Sequence, residues 1–221
     1  MARLVGIVLG IILLLPIGAQ AQLQTGLDRL TQEPGLLPPG SVIALVTNHT
    51  GRTSQGKSAY EVIRSLPGVT IAAIFAPEHG FAGKEDRHIS DSSHAGLPIY
   101  SLYGKRCIPT EAMLAGVNTI VFDIQDAGVR YYTYLGTLHT MLNTSRQYHL
   151  RLVLLDRPNP IGGNTMDGAI PAPNRIAEQL RRDSTGCKTL TITHSIPTRH
   201  GMTLGELAQM VNTEAAIHAD L

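Results

Sequence analysis

The chain has 221 residues, of which 43% are apolar and 16% charged, and its formal net charge is +1. This is the composition of a globular protein, and it excludes a disordered or fibrous chain. A nearly neutral chain without a basic stripe also argues against nucleic acid or an anionic membrane as a partner.

The first 21 residues have the pattern of a secretory signal peptide. Arg3 precedes an apolar run over residues 4–17, and residues 19–21 (AQA) form a small-x-small cleavage site. An uncleaved anchor is disfavoured because the run is shorter than the roughly 20 residues that span a bilayer. We therefore expect cleavage before Gln22, export to the periplasm or the extracellular space, and no stable membrane anchor afterwards.

Residues 22–40 are rich in proline and are predicted to form a short helical or irregular lead-in. From residue 41 onward, four nearly continuous apolar runs are typical of strands buried on both faces of a parallel sheet. They cover residues 41–47 (SVIALVT), 69–75 (VTIAAIF), 118–124 (NTIVFDI) and 150–156 (LRLVLLD).

Helical patterns separate or follow these strands. Ser58 with Glu61, and Thr203 with Glu206, have the spacing of capping boxes, and residues 133–149 carry Leu and Met at helical intervals. The alternation of strands and helices predicts an α/β fold with an open, doubly wound, mostly parallel sheet. Such a domain ordinarily adds another strand after its last helix, so we expect the domain over residues 41–221 to be incomplete at its C-terminal end.

Cys107 and Cys187 are the two cysteines. Their spacing allows a disulfide in an oxidising compartment and excludes a CxxC redox or zinc motif.

In open parallel sheets, ligands bind beyond the carboxyl ends of the strands, and each predicted strand here ends in polar residues. The first is followed by residues 47–51 (TNHTG), which include Asn48 and His49 and which a simple turn would also explain. No GxGxxG motif opens a helix, so the sequence predicts no dinucleotide cofactor.

The second strand leads into residues 76–81 (APEHGF). Pro77 and Gly80 would hold Glu78 and His79 in a defined turn, where a carboxylate beside apolar groups can act as a general acid. The alternative is an ordinary solvated glutamate in a loop.

The third strand runs into a segment that is dense in polar and ring groups, residues 123–134 (DIQDAGVRYYTY). Carbohydrate sites use such groups, with polar side chains for hydroxyls and aromatic faces for the sugar ring. The alternative is a structural role, in which Asp123 caps a turn, Arg130 pairs with Asp126 and the tyrosines are in the core.

The fourth strand ends in residues 156–163 (DRPNPIGG), which contain Arg157 and Asn159, and Asp167 follows as a candidate second carboxylate. Two prolines and two glycines define a constrained loop, which fits either a functional loop or a rigid connection.

A metal site is the weaker interpretation of the histidine-rich region. Asp86, His88, Asp91 and His94 match no strong ligand spacing, so we expect a solvated loop and no bound metal. A metal-dependent hydrolase using His79, His88 and His94 is therefore a minor alternative.

Six segments in consistent order resemble the exo-β-N-acetylmuramidase family known as NamZ. They are residues 47–51 (TNHTG), 75–81 (FAPEHGF), 96–104 (GLPIYSLYG), 122–134 (FDIQDAGVRYYTY), 155–163 (LDRPNPIGG) and 196–208 (IPTRHGMTLGELA). The resemblance implies a Rossmann-like catalytic domain and release of N-acetylmuramic acid from the non-reducing ends of peptidoglycan fragments. It implies muramic-acid-containing saccharides as partners and no cofactor, and it leaves the oligomeric state open.

Carried over to this sequence, the resemblance makes Glu78 the catalytic carboxylate and Asp167 its expected partner, with Asp123 and Asp126 as alternatives for the second role. The residues that would line the sugar site are Asn48, His49, His79, Asp123, Gln125, Asp126, Arg130, Tyr131, Arg157 and Asn159.

Two departures from the family pattern bear on activity. The family usually has Val-Glu-Gly at residues 166–168, where this chain has MDG with the shorter Asp167. Carboxylates about 5 Å apart favour retention and those about 6.5–9.5 Å apart favour inversion, so one methylene is relevant and the stereochemistry stays open. We also expect the family's smaller C-terminal domain to be missing, which leaves a catalytically inactive muramyl-saccharide-binding paralogue as the alternative function.

Overall fold

The computed structural model describes residues 23–83, 91–103, 106–182 and 194–221. Its sheet has six strands in the order β3-β4-β2-β1-β5-β6, and only β3 is antiparallel to its neighbour. The strands are β1 Val42–Thr47, β2 Thr70–Ala76, β3 Ser92–His94, β4 Leu97–Ser101, β5 Thr119–Asp123 and β6 Arg151–Leu154. The helices are α1 Gly26–Gln32, α2 Ala59–Arg64, α3 Tyr134–Tyr148, α4 Pro173–Arg182 and α5 Leu204–Glu214.

The predicted α/β fold is confirmed, with a strand at each of the four apolar runs and a helix at each of the three helical patterns. Both capping boxes form. The Ser58 and Thr203 hydroxyls accept from the backbone N–H three residues on, while Glu61 and Glu206 accept from the backbone N–H groups of Ser58 and Thr203. These local bonds define where α2 and α5 begin.

Helices cover both faces of the sheet, which explains why the central strands are apolar without alternation. On one face, Phe75 and Phe122 pack with residues of α3 and α5. On the other face, Ile43 and Val121 pack with α2 and with Leu27 of the lead-in helix α1. The lead-in therefore contributes to the core. Its backbone is also bound to the segment after β6, because the Gly26 N–H donates to the Asp156 carbonyl at 2.7 Å.

The β3-β4 hairpin and α4 were not predicted from the sequence. Pro98 lies in the middle of β4, and a proline usually argues against a strand inside a sheet. β4 nevertheless runs parallel to β2 from Ile99 to Ser101 and pairs with the short edge strand β3 on its other side.

The order of strands places a topological switch point between β1 and β5. The connection after β1 turns towards β2, whereas the connection after β5 leads through α3 to β6 on the opposite side. Thr47 and Asp123 pair at the ends of the two strands, so their following loops begin at the same level. This is the position at which doubly wound sheets bind ligands.

The signal peptide and the Cys187 half of a possible disulfide are predictions that fall on residues outside the described ranges. Within the described ranges, no helix has both the length and the apolar character required to cross a bilayer.

A buried histidine pair links α3 to the segment that precedes α5. His194 Nε2 lies 3.2 Å from His139 Nδ1. Burial lowers the pKa of both imidazoles, that of His194 to about 4 with a contribution from His139. Both rings are therefore neutral at pH 7, and one of them donates its N–H to the other.

We expect this pair to make the fold acid-sensitive. Below the ordinary histidine pKa of about 6.5 the unfolded chain takes up protons that the folded chain resists, so stability falls with decreasing pH until about pH 4. The loss between pH 7 and 4.5 should reach about 1–2 kcal/mol in urea unfolding. His194→Gln should reduce this loss of stability between pH 7 and 4.5. His149→Asn, at an exposed position, should leave it unchanged. An unchanged pH dependence in His194→Gln would contradict the assignment.

Candidate functional site

The loop after β1 is tied to the loop after β5 and to the start of α3 by buried Asn48. Its side-chain oxygen accepts from the Thr50 backbone N–H at 2.9 Å and from the Thr50 hydroxyl at 2.5 Å. Its amide N–H donates to the Tyr134 hydroxyl at 3.3 Å, and the Thr50 hydroxyl oxygen accepts from the Gln125 backbone N–H at 3.0 Å. Asn48 thus organises the junction at which these loops meet.

Beneath this junction, Asp123 and Arg157 form a buried ion pair. Arg157 Nε and Nη2 donate to the two Asp123 carboxylate oxygens at 2.7 and 3.0 Å, and Nη2 also donates to the Arg52 carbonyl at 3.0 Å. The Asp123 side chain is 0% exposed. Burial raises the pKa of Asp123, and Arg157 opposes that rise by stabilising the charged form. The loops that follow the carboxyl ends of the strands form one edge of the molecule, here called the rim. The predicted sugar-lining residues Asp123 and Arg157 therefore bind each other below the rim.

Asp126 is held by partners that the sequence analysis did not identify. Its Oδ2 accepts from the Gly128 backbone N–H at 2.7 Å and lies 3.2 Å from His200 Nε2. His200 Nδ1 accepts from the Met202 backbone N–H at 3.2 Å, so the ring proton is on Nε2 and points to Asp126. Neither an Asp123 cap nor an Arg130–Asp126 ion pair forms. His200 lies in the RHG sequence at residues 199–201, inside the motif at residues 196–208, and this position could have identified it as a site residue.

Two amide side chains hold the neighbouring loops together. Gln125 Nε2 donates to the carbonyls of Asp126 and Pro158 at 2.9 and 3.0 Å. Asn159 Nδ2 donates to the Met202 carbonyl at 2.9 Å, and its Oδ1 accepts from the Ile161 backbone N–H at 3.1 Å. These residues connect the end of β6 to the segment before α5.

Glu78 lies two residues beyond the end of β2, in a half-buried position. Its Oε2 accepts from the Thr133 hydroxyl at 2.8 Å. The Glu78 carboxylate and burial raise the pKa of Tyr103, which keeps its hydroxyl protonated. Burial raises the pKa of Tyr134, and Glu78 adds to this rise. Thr133 thus holds the Glu78 carboxylate, although it was not among the predicted site residues.

His79 and His49 flank this region. His79 has a left-handed backbone with φ of 67°, which turns the chain immediately after Glu78. His49 is exposed, and its ring packs against the backbone of Gly83 so closely that a Cβ at Gly83 would overlap it. A cavity of about 290 Å³ opens beside His49 and Phe81, near the lower limit of ligand-binding cavities.

Asp167 is an exposed carboxylate on the loop between β6 and α4. Its backbone N–H and C=O exchange hydrogen bonds with Arg199 at 3.1 and 2.9 Å, and its Oδ1 accepts from the Gly168 backbone N–H at 2.7 Å. The backbone of Arg199 also pairs with that of Val129 in an isolated antiparallel β-bridge. Arg199 therefore lies between the loop after β5 and the loop that carries Asp167. The structure therefore joins the Asp167 loop to the rim that carries the other predicted residues.

The rim also exposes apolar and aromatic side chains. Tyr131 is 67% exposed, and Arg130 beside it donates from Nη2 to the Ala169 carbonyl at 3.1 Å. The other large exposed apolar side chains of these two loops are Tyr132, Ile161, Met166 and Ile170. Exposed rings beside polar groups suit the faces of sugar rings.

Within the described residues, no group of three or more His, Cys, Asp or Glu side chains is placed to hold a metal ion. Asp91 accepts from the Ser101 backbone N–H and from Arg106, and the His94 ring packs against those of Tyr60 and Phe81. Asp86 and His88 lie outside the described residues.

The amino-acid sequence that forms this site also matches a known protein family. Residues 43–221 match the family model described as exo-beta-N-acetylmuramidase NamZ, N-terminal. The chain belongs to the NamZ family. It is 36% identical over 204 residues to the peptidoglycan beta-N-acetylmuramidase NamZ of Bacillus subtilis strain 168, a match that covers 90% of this chain and 46% of that protein.

Two crystal structures of DUF1343 family proteins from Bacteroides fragilis NCTC 9343 resemble this NamZ-family chain. Their TM-scores are 0.75 and 0.67, both are 33% identical in sequence, and the matches cover 89% and 86% of this chain. Each match covers 47% of the crystallised chain. This chain thus spans about half the length of the relatives it matches.

Proposed function

We propose that this chain is an exo-acting glycoside hydrolase that acts outside the cytoplasm and releases N-acetylmuramic acid from the non-reducing ends of peptidoglycan fragments. The observation that carries the proposal is the Glu78 carboxylate, which accepts a hydrogen bond from Thr133 at the ligand-binding edge of a NamZ-family sheet. In the proposed reaction Glu78 donates a proton to the glycosidic oxygen as the bond to the sugar breaks.

The second carboxylate is best assigned to Asp167. Asp123 is fully buried and bound on both oxygens by Arg157, and Asp126 is buried between Gly128 and His200. If either of these two carboxylates left its partners to contact a substrate, a buried charge would remain without compensation. Asp167 is exposed and its loop lies on the same rim, which leaves it available to activate water or to attack the sugar.

The rim fits a saccharide better than a purely apolar ligand. The exposed Tyr131 and Tyr132 rings offer stacking surfaces, and His49 is exposed beside a small cavity. Sugars are recognised by this combination of ring faces with hydrogen-bonding groups. The same surface would serve a binding protein without hydrolytic activity, so turnover is the decisive measurement.

We expect Asp167→Asn to lower kcat for a chromogenic N-acetylmuramide by about 10²–10³-fold, because an amide cannot accept a proton or form a glycosyl ester. Asp220→Asn, an exposed change beside the first residue of β6 and therefore at the opposite edge of the sheet, should behave like the wild-type chain. Equal turnover by Asp167→Asn and Asp220→Asn would reject Asp167 as the partner. Binding of muramyl saccharides without turnover by the unmodified chain would favour the binding protein.

A further inference from the structure

Thr133 immediately precedes α3, but its hydroxyl does not cap the helix. It makes no side-chain bond to the backbone of the first turn and donates instead to Glu78 Oε2 at 2.8 Å. A threonine cap ordinarily stabilises a helix by about 1 kcal/mol, so α3 forgoes this contribution. The hydroxyl is directed to a residue 55 positions earlier in the chain.

Other threonines of α3 show the usual arrangement. The Thr137 hydroxyl donates to the Thr133 carbonyl at 3.3 Å, and the Thr140 hydroxyl donates to the Gly136 carbonyl at 3.1 Å. Both bonds stay within one turn of the helix, as helical threonines commonly do. Thr133 differs from them because its partner is the candidate catalytic carboxylate.

The hydrogen bond from Thr133 joins two separate parts of the sheet. Glu78 follows β2, whereas Thr133 follows β5 and stands at the start of α3, and β1 lies between these two strands. A donor on a separate element restricts both the position and the rotation of a carboxyl group. Tyr103, two residues after β4, lies close enough that the Glu78 carboxylate raises its pKa.

We propose that Thr133 is a positioning residue that holds the Glu78 carboxyl group in its reactive orientation. The proposal rests on the proposed function of Glu78 as the general acid. A misplacement of a reacting group by about 1 Å can cost about 10²-fold in rate, so a hydroxyl that orients the acid can govern turnover. A residue that acts through Glu78 in this way should alter kcat and leave KM nearly unchanged.

The kinetic test compares Thr133→Val, which deletes the hydroxyl, with Thr133→Ser, which keeps one. We expect Thr133→Val to lower kcat for a chromogenic N-acetylmuramide by about 10-fold or more with KM within about 3-fold, and Thr133→Ser to retain most of the activity.

Thr140→Val is the matched control, since it removes a hydroxyl from the same helix without altering a bond to Glu78. It should match the unmodified chain in kcat. A Thr133→Val variant that folds normally and keeps the wild-type kcat would overturn the proposal.

A second measurement does not depend on hydrolysis. In protein labelled with carboxyl-¹³C glutamate, the Glu78 resonance is assigned by its loss in Glu78→Gln. Its chemical shift should change in Thr133→Val and should stay constant in Thr140→Val. An unchanged chemical shift in Thr133→Val would refute the hydrogen bond. A changed chemical shift in a chain that hydrolyses no muramide would instead retain the bond and reject the proposed function.

Discussion

Replacement of Glu78 with glutamine is expected to lower kcat for a chromogenic N-acetylmuramide by at least about 10³-fold, which is within the range for loss of a general acid. Glutamine has nearly the same shape but carries no transferable proton. The Thr133 hydroxyl can still donate to the amide oxygen, so the local structure should persist. Urea unfolding and circular dichroism should therefore match those of the unmodified chain, which would assign the loss to chemistry.

Glu111→Gln is the matched control for this substitution. Glu111 is exposed on the short 3-10 helix Glu111–Leu114, away from the carboxyl ends of the strands, and should be neutral when changed. The assignment of Glu78 fails if Glu78→Gln retains the turnover of Glu111→Gln. A loss of folded protein in Glu78→Gln would indicate a structural role for the carboxylate instead.

Arg157→Leu should have the largest effect on stability, because it leaves the Asp123 carboxylate buried without its partner. Asp123 accepts both of its ion-pair bonds from Arg157, and its side chain is 0% exposed. Breaking a buried pair in this way costs about 3–5 kcal/mol, a large part of the about 5–15 kcal/mol that stabilises a typical domain. Urea unfolding should therefore show a much lower midpoint or no folded baseline.

The exposed pair Arg29 and Glu33 provides the comparison. Its side chains are 58% and 54% exposed, so Arg29→Leu should move the unfolding midpoint only slightly. The double variant Asp123→Leu with Arg157→Leu removes both buried charges and should recover part of the stability lost in Arg157→Leu. Similar unfolding midpoints for Arg157→Leu and Arg29→Leu would contradict a dominant role for burial.

The sheet could be predicted because its signals are local. A run such as residues 118–124 is apolar on both faces and short, which distinguishes a buried parallel strand from an amphipathic helix. The two capping boxes are also local, since each needs only residues three positions apart. β4 was missed because Pro98 weakens the strand signal, while its parallel pairing with β2 depends on a segment well separated from it in the chain.

The candidate site was predicted as a set of strand ends but not as a set of roles. Asp123, Asp126 and Asp167 all lie at or after strand ends on the same edge of the sheet, and the sequence left each of them open as the partner of Glu78. Their surroundings differ greatly: Arg157 binds the first, Gly128 and His200 bind the second, and the third is exposed. A carboxylate's availability depends on what lies opposite its oxygens, which the residues beside it in the chain do not specify.

The amino-acid sequence by itself determined the family, the parallel strands, the helix starts and the rim at which polar residues collect. Hydrophobic periodicity, helix capping and each sequence motif involve only residues that are close together in the chain, so the sequence shows them directly. The tertiary structure decided which polar residues support the rim and which remain available on it. The bonds that make this division join residues far apart in sequence, 34 positions for Asp123 with Arg157 and 55 for Glu78 with Thr133, and only the folded sheet brings them within hydrogen-bonding distance.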